Sequence, residues 1–180
     1  MPEELEVMIL EINKDEIIKK LESLGAERIR DVRMKIKMFD YPDERLRKEI
    51  SFLRLRDEGD RSVLTFKKMK HQEGVKCMDE FETKVSDPDA IEKLLKAIGL
   101  VATRHQEKDR VTFKKDGITF NVDEWPGAPP LLEIEAETMD KVRQGVEMLG
   151  FKMEDTCAIG GREFFEKYGL VERAHDLKFE

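Results

Sequence analysis

The chain has 180 residues, a length for one domain with a sizeable core or for two small ones. It is 41% charged and 39% hydrophobic, and 33 basic residues stand against 40 acidic ones for a net charge of −7. That acidity argues against a general nucleic-acid binder, which presents a dominant basic face, but it permits a small anionic ligand in a locally basic cavity.

In chain order, Leu5, Val7 and Ile9 alternate with Glu4, Glu6 and Met8, the period of a half-buried strand. Asn13 as N-cap, Glu16 three residues on and Gly25 as a stop predict a helix over Lys14–Leu24. Strands are predicted from the run Arg28–Phe39, from Phe52, Leu53 and Leu55 around Arg54 and Arg56, and from Leu64 and Phe66 between Thr65 and Lys67. Phe81 and Val85 alternate with Glu80, Glu82 and Lys84 in a further strand. Asp57-Glu58-Gly59-Asp60 and Glu73-Gly74 read as the turns between them. Asp87-Pro88 opens a second helix, which ends near Gly99 and carries Ile91, Leu94, Leu95 and Ile98 at helical spacing. Val111 and Phe113, then Phe120 and Val122, flank an Asp116-Gly117 turn, and Leu132 and Ile134 follow with Glu133 and Glu135. Helices are predicted over Met139–Leu149, closed by Gly150, and over Arg162–Tyr168, and the rest reads as a loosely held tail. About eight strands with short connections favour antiparallel hairpins in one domain, with no internal repeat or linker.

No segment nears the roughly 18 apolar residues of a membrane helix. The acidic start MPEELEVMILEI lacks the basic flank and cleavage site of a secretory signal, so a cytoplasmic protein without membrane partners is expected. Cys77 and Cys157, the two cysteines, form no CxxC pattern, which argues against a disulfide framework and a zinc site.

The ordinary reading of the charged strand faces is a solvated sheet surface. Like charges nevertheless recur two residues apart, at Glu4/Glu6, Arg54/Arg56, Glu80/Glu82, Lys108/Arg110 and Glu133/Glu135. Such neighbours share a face about 7 Å apart and repel by roughly 2 kcal/mol at an effective dielectric near 20. If the sheet closes with that face inward, opposite charges across the lumen or a bound ion must offset the repulsion. Carboxylates suit a hard divalent cation, and arginine and lysine suit phosphate. No Gly-rich phosphate loop is present, which disfavours a Walker-type NTPase.

The ordered series Glu4-Leu5-Glu6-Val7-Met8, FLRLR (52–56), LTFKK (64–68), DEFETKV (79–85), QEKDRVTF (106–113) and NVDEWPGAPPLLEIEAE (121–137) resembles the CYTH family of class IV adenylyl cyclases and thiamine triphosphatases. The resemblance runs along nearly the whole chain and is strongest toward the bacterial and archaeal cyclase-like branch. It implies an α+β fold in one domain, 1–172, with a tail at 173–180: a closed eight-stranded antiparallel β-barrel, or tunnel, with a polar interior and helices packed outside. It implies Mg²⁺ or Mn²⁺, a triphosphate-bearing small molecule such as ATP as substrate, and a monomer or homodimer. Carried over by position, Glu4, Glu6, Glu133 and Glu135 are the metal carboxylates, with Asp123, Glu80 and Glu82 nearby. Arg54, Arg56, Lys67, Lys76, Lys108 and Arg110 grip the phosphates, and Glu4, Glu6, Lys108, Arg110 and Asp123 form the catalytic set. Trp125 either lines the tunnel mouth or plugs a loop.

The activity so implied is conversion of ATP to cyclic AMP and pyrophosphate. A triphosphatase releasing orthophosphate from tripolyphosphate, thiamine triphosphate or an NTP is the alternative. Met8 stands where the family has a lysine, which adds a third reading, a non-catalytic triphosphate binder.

Overall fold

The computed structural model describes residues 5–72 and 75–180, with side chains for all of these but 69–72 and 75–78. Glu4, the Glu73-Gly74 turn and the Lys76 side chain lie outside the described residues. The strands are β1 (Leu5–Ile9), β2 (Glu27–Asp40), β3 (Ser51–Asp57), β4 (Ser62–Gln72), β5 (Val75–Val85), β6 (Val101–Lys115), β7 (Ile118–Glu124), β8 (Leu131–Ala136) and β9 (Asp176–Leu177). The helices are α1 (Lys14–Ser23), α2 (Arg45–Lys48), α3 (Pro88–Ala97), α4 (Met139–Met148) and α5 (Gly161–Lys167). Two compact units result, one from Met1–Val32 and Lys108–Val171, the other from Arg33–Glu107 and Glu172–Glu180, so β2 and β6 each contribute to both.

In the first unit the strand order is β1-β8-β7-β6, with β2 next to β6. The alternation read from the sequence sorts its residues. Val7, Ile9, Val111, Phe113, Phe120, Val122, Leu132 and Ile134 form one buried face. Ile17 and Leu21 of α1 and Val142 and Val146 of α4 join the same core. The signals for α1 act as expected: the Asn13 side chain accepts from the Glu16 N–H at 3.3 Å. Glu16 accepts in turn from the Asn13 side-chain amide at 3.0 Å, where a standard capping box would use the backbone N–H. Gly145 lets α4 approach the sheet. A Cβ there would lie 2.9 Å from Ile134 and 3.1 Å from Ile118.

In the second unit the order is β6-β2-β3-β4-β5. Phe39, Leu55, Leu95 and Leu100 form its core, with Leu95 supplied by α3. Asp87 caps α3 by accepting from the Ala90 N–H at 2.9 Å. Glu92 ties α3 down, bound by Lys37 of β2 and by Lys96 at 2.6 Å. The short α2 has no periodicity to betray it. Buried Asp40 accepts from the Leu46 and Arg47 N–H groups at 3.0 Å each, so a side chain outside the helix satisfies its first turn.

Two expectations need correction. A closed barrel has no end strands, whereas the order found here ends at β1 and β5. The far edge of β1 is taken at Met8, whose N–H and carbonyl exchange 2.8 Å hydrogen bonds with Cys157, and β5 pairs with β4. The architecture is therefore an antiparallel eight-stranded order with helices, without closure. Alternation reports which face a residue occupies, not which edges meet.

Nor is the C-terminal stretch loose. β9 pairs in parallel with β6 at His105↔Asp176 and Gln106↔Leu177, and Leu177 is fully buried. Gln106 donates to the Ala174 carbonyl at 2.7 Å, and the Arg33 guanidinium lies 4.1 Å from the Phe179 ring centroid. Only a few apolar residues anchor this segment, too few to make a period.

Candidate functional site

The polar face of the first unit gathers most of the predicted residues. The β6–β7 register sets Arg110 opposite Asp123 and Thr112 opposite Asn121. The β7–β8 register sets Asn121 opposite Glu133, and the β1–β8 register sets Met8 opposite Glu133 and Glu6 opposite Glu135. Asp123 is the hub and is fully buried. It accepts from Lys108 Nζ at 2.7 Å and from Arg110 Nε and Nη2 at 2.6 Å each. Arg110 also donates to Glu133.

The electrostatics follow from this burial. Burial, then the Arg110 charge, pushes the Lys108 ammonium below its ordinary value, against the pull of Asp123 and Glu133. Burial also opposes charge on Arg110, but Asp123 and Glu133 overcome it and hold the guanidinium protonated. Burial alone would raise the Asp123 carboxyl, yet Arg110 and Lys108 outweigh it and hold it below its usual range.

Trp125 follows β7 with its ring centroid 5.1 Å from Lys108 Nζ, and its ring meets Phe165 of α5 edge-on at 5.2 Å. Lys108 thus has a carboxylate on one side and an aromatic face on another. Sequence reasoning gave Asn121 and Thr112 no role. Asn121 is buried, accepts from the Thr112 hydroxyl at 2.8 Å and donates to Glu135 at 3.0 Å. Its place on the parity of Asp123 was the available signal.

The second unit holds the other predicted bases. Arg54 and Arg56 share a face of β3, with Arg54 opposite Thr65 of β4. Glu58, overlooked as a turn residue, is buried with one oxygen 2.6 Å from Arg56 Nε and the other 2.6 Å from Arg61 Nε. Lys67 pairs with Glu80 at 2.8 Å, and Glu82 accepts from the Thr65 hydroxyl at 3.1 Å while lying 3.9 Å from Arg56.

A divalent cation is compatible with the donor chemistry of the first unit. Among the described residues no three acidic or thiol or imidazole side chains converge on one point. Mg²⁺, however, usually takes one or two carboxylates and completes its shell with water and phosphate oxygens. Directly opposed Glu6 and Glu135 meet that requirement in type. Glu135 also lines a cavity of about 180 Å³ with Lys114 and Thr119. No helix among the described residues is long and apolar enough to cross a membrane.

Comparison with known proteins agrees with this arrangement. A Methanocaldococcus jannaschii protein provisionally named adenylate cyclase is 26% identical over 137 residues, covering 76% of this chain and 78% of that protein. A solved structure from Pyrococcus horikoshii is similar with a TM-score of 0.68 at 25% identity, covering 86% of this chain and 94% of that one. A Hippeastrum protein, provisionally named an adenylyl cyclase and described as having a dominant triphosphatase activity, shares the fold. Its TM-score is 0.64 at 17% identity, with 92% and 96% of the two chains covered. The CYTH domain model itself matches residues 3–159, so this chain belongs to the CYTH domain family.

Proposed function

We propose that the chain is a metal-dependent enzyme acting on a triphosphate, as a class IV type adenylyl cyclase that converts ATP to cyclic AMP and pyrophosphate. The observation that carries this reading is the buried Lys108–Asp123–Arg110–Glu133 array. Apolar residues of the same volume would serve stability as well or better, so an array of this kind points to a ligand. The M. jannaschii relative's name and the family itself support a triphosphate as that ligand.

In this proposal Glu6, Glu133 and Glu135, with Glu4, hold Mg²⁺ or Mn²⁺, which when bound neutralises phosphate oxygens and acidifies a hydroxyl. Arg54, Arg56 and Lys67 bind the phosphates, with Lys76 as a further candidate. Lys108 and Arg110, fixed by Asp123, face the charge that develops on the leaving group. The ribose 3′-oxygen bonds to the α-phosphorus, the bond from that phosphorus to the oxygen bridging the β-phosphorus breaks, and pyrophosphate departs. The hydroxyl proton leaves to water.

The same clamp would serve a triphosphatase, in which water attacks the terminal phosphorus and orthophosphate leaves. The Hippeastrum protein illustrates that this fold accommodates that activity under a cyclase name. Incubation with ATP, GTP, thiamine triphosphate or tripolyphosphate and Mg²⁺ or Mn²⁺, with products resolved, decides between them. Cyclic AMP with pyrophosphate is expected, orthophosphate selects the alternative, and neither product overturns the enzymatic reading. Met8 lies opposite Glu133, where a lysine would add a charge. Tight triphosphate binding without turnover that Met8→Lys converts to turnover would identify a binder derived from an enzyme.

A further inference from the structure

We propose that Asn121, oriented by Thr112, is a positioning residue that aims the Glu135 carboxylate at the bound divalent cation. The inference rests on the metal-dependent reading above and assigns a part of it to two uncharged side chains.

The geometry is specific. Asn121 sits opposite Glu133 in the ladder, while the residue opposite Glu135 is Thr119. The Asn121 amide passes over its direct neighbour and reaches Glu135 diagonally, donating at 3.0 Å. Diagonal neighbours on a sheet face are within reach of a side chain of this length. An asparagine amide can turn end for end, which would swap its donor for an acceptor and put oxygen against the carboxylate. The Glu135 carboxylate, which can only accept, selects the NH₂ end, and the Thr112 hydroxyl, donating to Asn121 Oδ1 at 2.8 Å, holds the other end of the amide in place. Asn121 is only 3% exposed, so water cannot readily substitute for either partner.

The two glutamates of β8 are therefore held differently. Glu133 takes a charged donor, Arg110, whereas Asn121 gives Glu135 a neutral one. Carboxylates that ligate a metal are themselves held by outer-shell hydrogen bonds, and Asn121 supplies such a bond to Glu135.

The test measures Mn²⁺ affinity by electron paramagnetic resonance in the wild type, Asn121→Ala and Thr112→Val. Metal-free tripolyphosphate binding is followed in parallel by fluorescence of Trp125, the only tryptophan in the chain. Loss of an outer-shell partner typically weakens metal binding by about 10- to 100-fold, the loss expected for Asn121→Ala. Thr112→Val removes one neutral hydrogen bond and is expected to cost about 2- to 10-fold. Tripolyphosphate binding should stay within about twofold of wild type in both. Unchanged Mn²⁺ affinity in both variants overturns the proposal, as does an equal loss of metal and tripolyphosphate binding, which marks general disruption. Should Asn121→Ala fail to fold, Thr112→Val decides alone. A wild-type protein that binds no Mn²⁺ sinks the metal reading itself, whereas wild-type binding with unaltered variants sinks only the role of Asn121.

Discussion

Asp123→Asn isolates the hub of the polar array. The substitution keeps shape and volume but removes the charge that Lys108 and Arg110 share, and turns an NH₂ group toward one of their donors. Removing one member of a buried ion pair costs about 3–5 kcal/mol. Arg110 keeps Glu133, so the lower end applies, about 3 kcal/mol. At roughly 2–4 °C per kcal/mol for a chain of this size, Tm should fall by about 6–12 °C.

The pH dependence makes the prediction sharper. In the wild type the Asp123 carboxyl is held below its ordinary 3.8, so its contribution is present above that value and is lost as pH falls through the folded value. The Lys108 ammonium is held below its ordinary 10.5. The unfolded chain therefore binds more protons there, and stability rises with pH across that window. Without Asp123 the ammonium falls further, the window widens, and alkaline solution relieves the unpaired charge. The stability gap between wild type and Asp123→Asn should thus peak near neutrality and narrow on both sides. Urea unfolding at about pH 3, 7 and 9.5, the first of these lying below the ordinary carboxyl value, measures it through Trp125 fluorescence, since that ring lies 5.1 Å from Lys108. A gap below about 1 kcal/mol at neutrality, or one that does not change with pH, would refute the argument that buried charge compensation governs this face.

Arg56→Ala should raise KM for the triphosphate by about 10-fold or more, the worth of a charge-assisted hydrogen bond. Arg61→Ala, which removes the other partner of Glu58, should leave KM near wild type, and equal effects in initial-rate kinetics would deny Arg56 a phosphate contact. Gly145→Ala gains up to about 1 kcal/mol in helix propensity but forces a Cβ to 2.9 Å from Ile134, so a net loss of about 1–2 kcal/mol is expected in urea unfolding. Glu92, bound first by Lys37 and then by Lys96, has its carboxyl lowered to about 2 from 4.5, so it supports stability above that ordinary value and loses this as pH falls toward 2. Glu92→Gln should flatten the acid limb of a pH–stability curve, and an unchanged limb would show that the pairing contributes nothing.

Much of the fold was legible because local chemistry agreed with the final structure. Asn13, Asp87 and Gly150 mark the helix ends they occupy, and the alternation from Val111 to Ile134 sorts core from polar face, with buried Leu131, on the parity of Glu133, as an apolar departure. What stayed hidden depends on partners distant in sequence. Asp40 looks like a strand residue until α2 folds over it, and Leu177 looks like tail until β6 receives it. Glu58 reads as turn punctuation because neither Arg56 nor Arg61 declares from the sequence that both will converge on it.

The charge pattern was legible in sign but not in its resolution. Like charges two residues apart on one strand predicted repulsion to be relieved across a lumen or by an ion. Within each unit nearby strands of the same face or the adjoining turn supply part of that relief. Lys108 and Arg110 meet Asp123 on β7, Lys67 meets Glu80 on β5, and Arg56 meets Glu58 in the turn beyond β3. Signs reverse from β6 to β7 and from β4 to β5, so for these pairs like-charge spacing is satisfied by an ordinary antiparallel ladder, whereas Glu6 and Glu135 face each other with the same sign. Burial, rather than spacing, is therefore what points to a ligand. A surface ladder would leave these pairs in water, where each contributes little, whereas Asp123 has been desolvated completely and holds two cations. Sequence could name the residues of the array, but only the packing of β6 against β7 shows that their charges are kept where keeping them is costly.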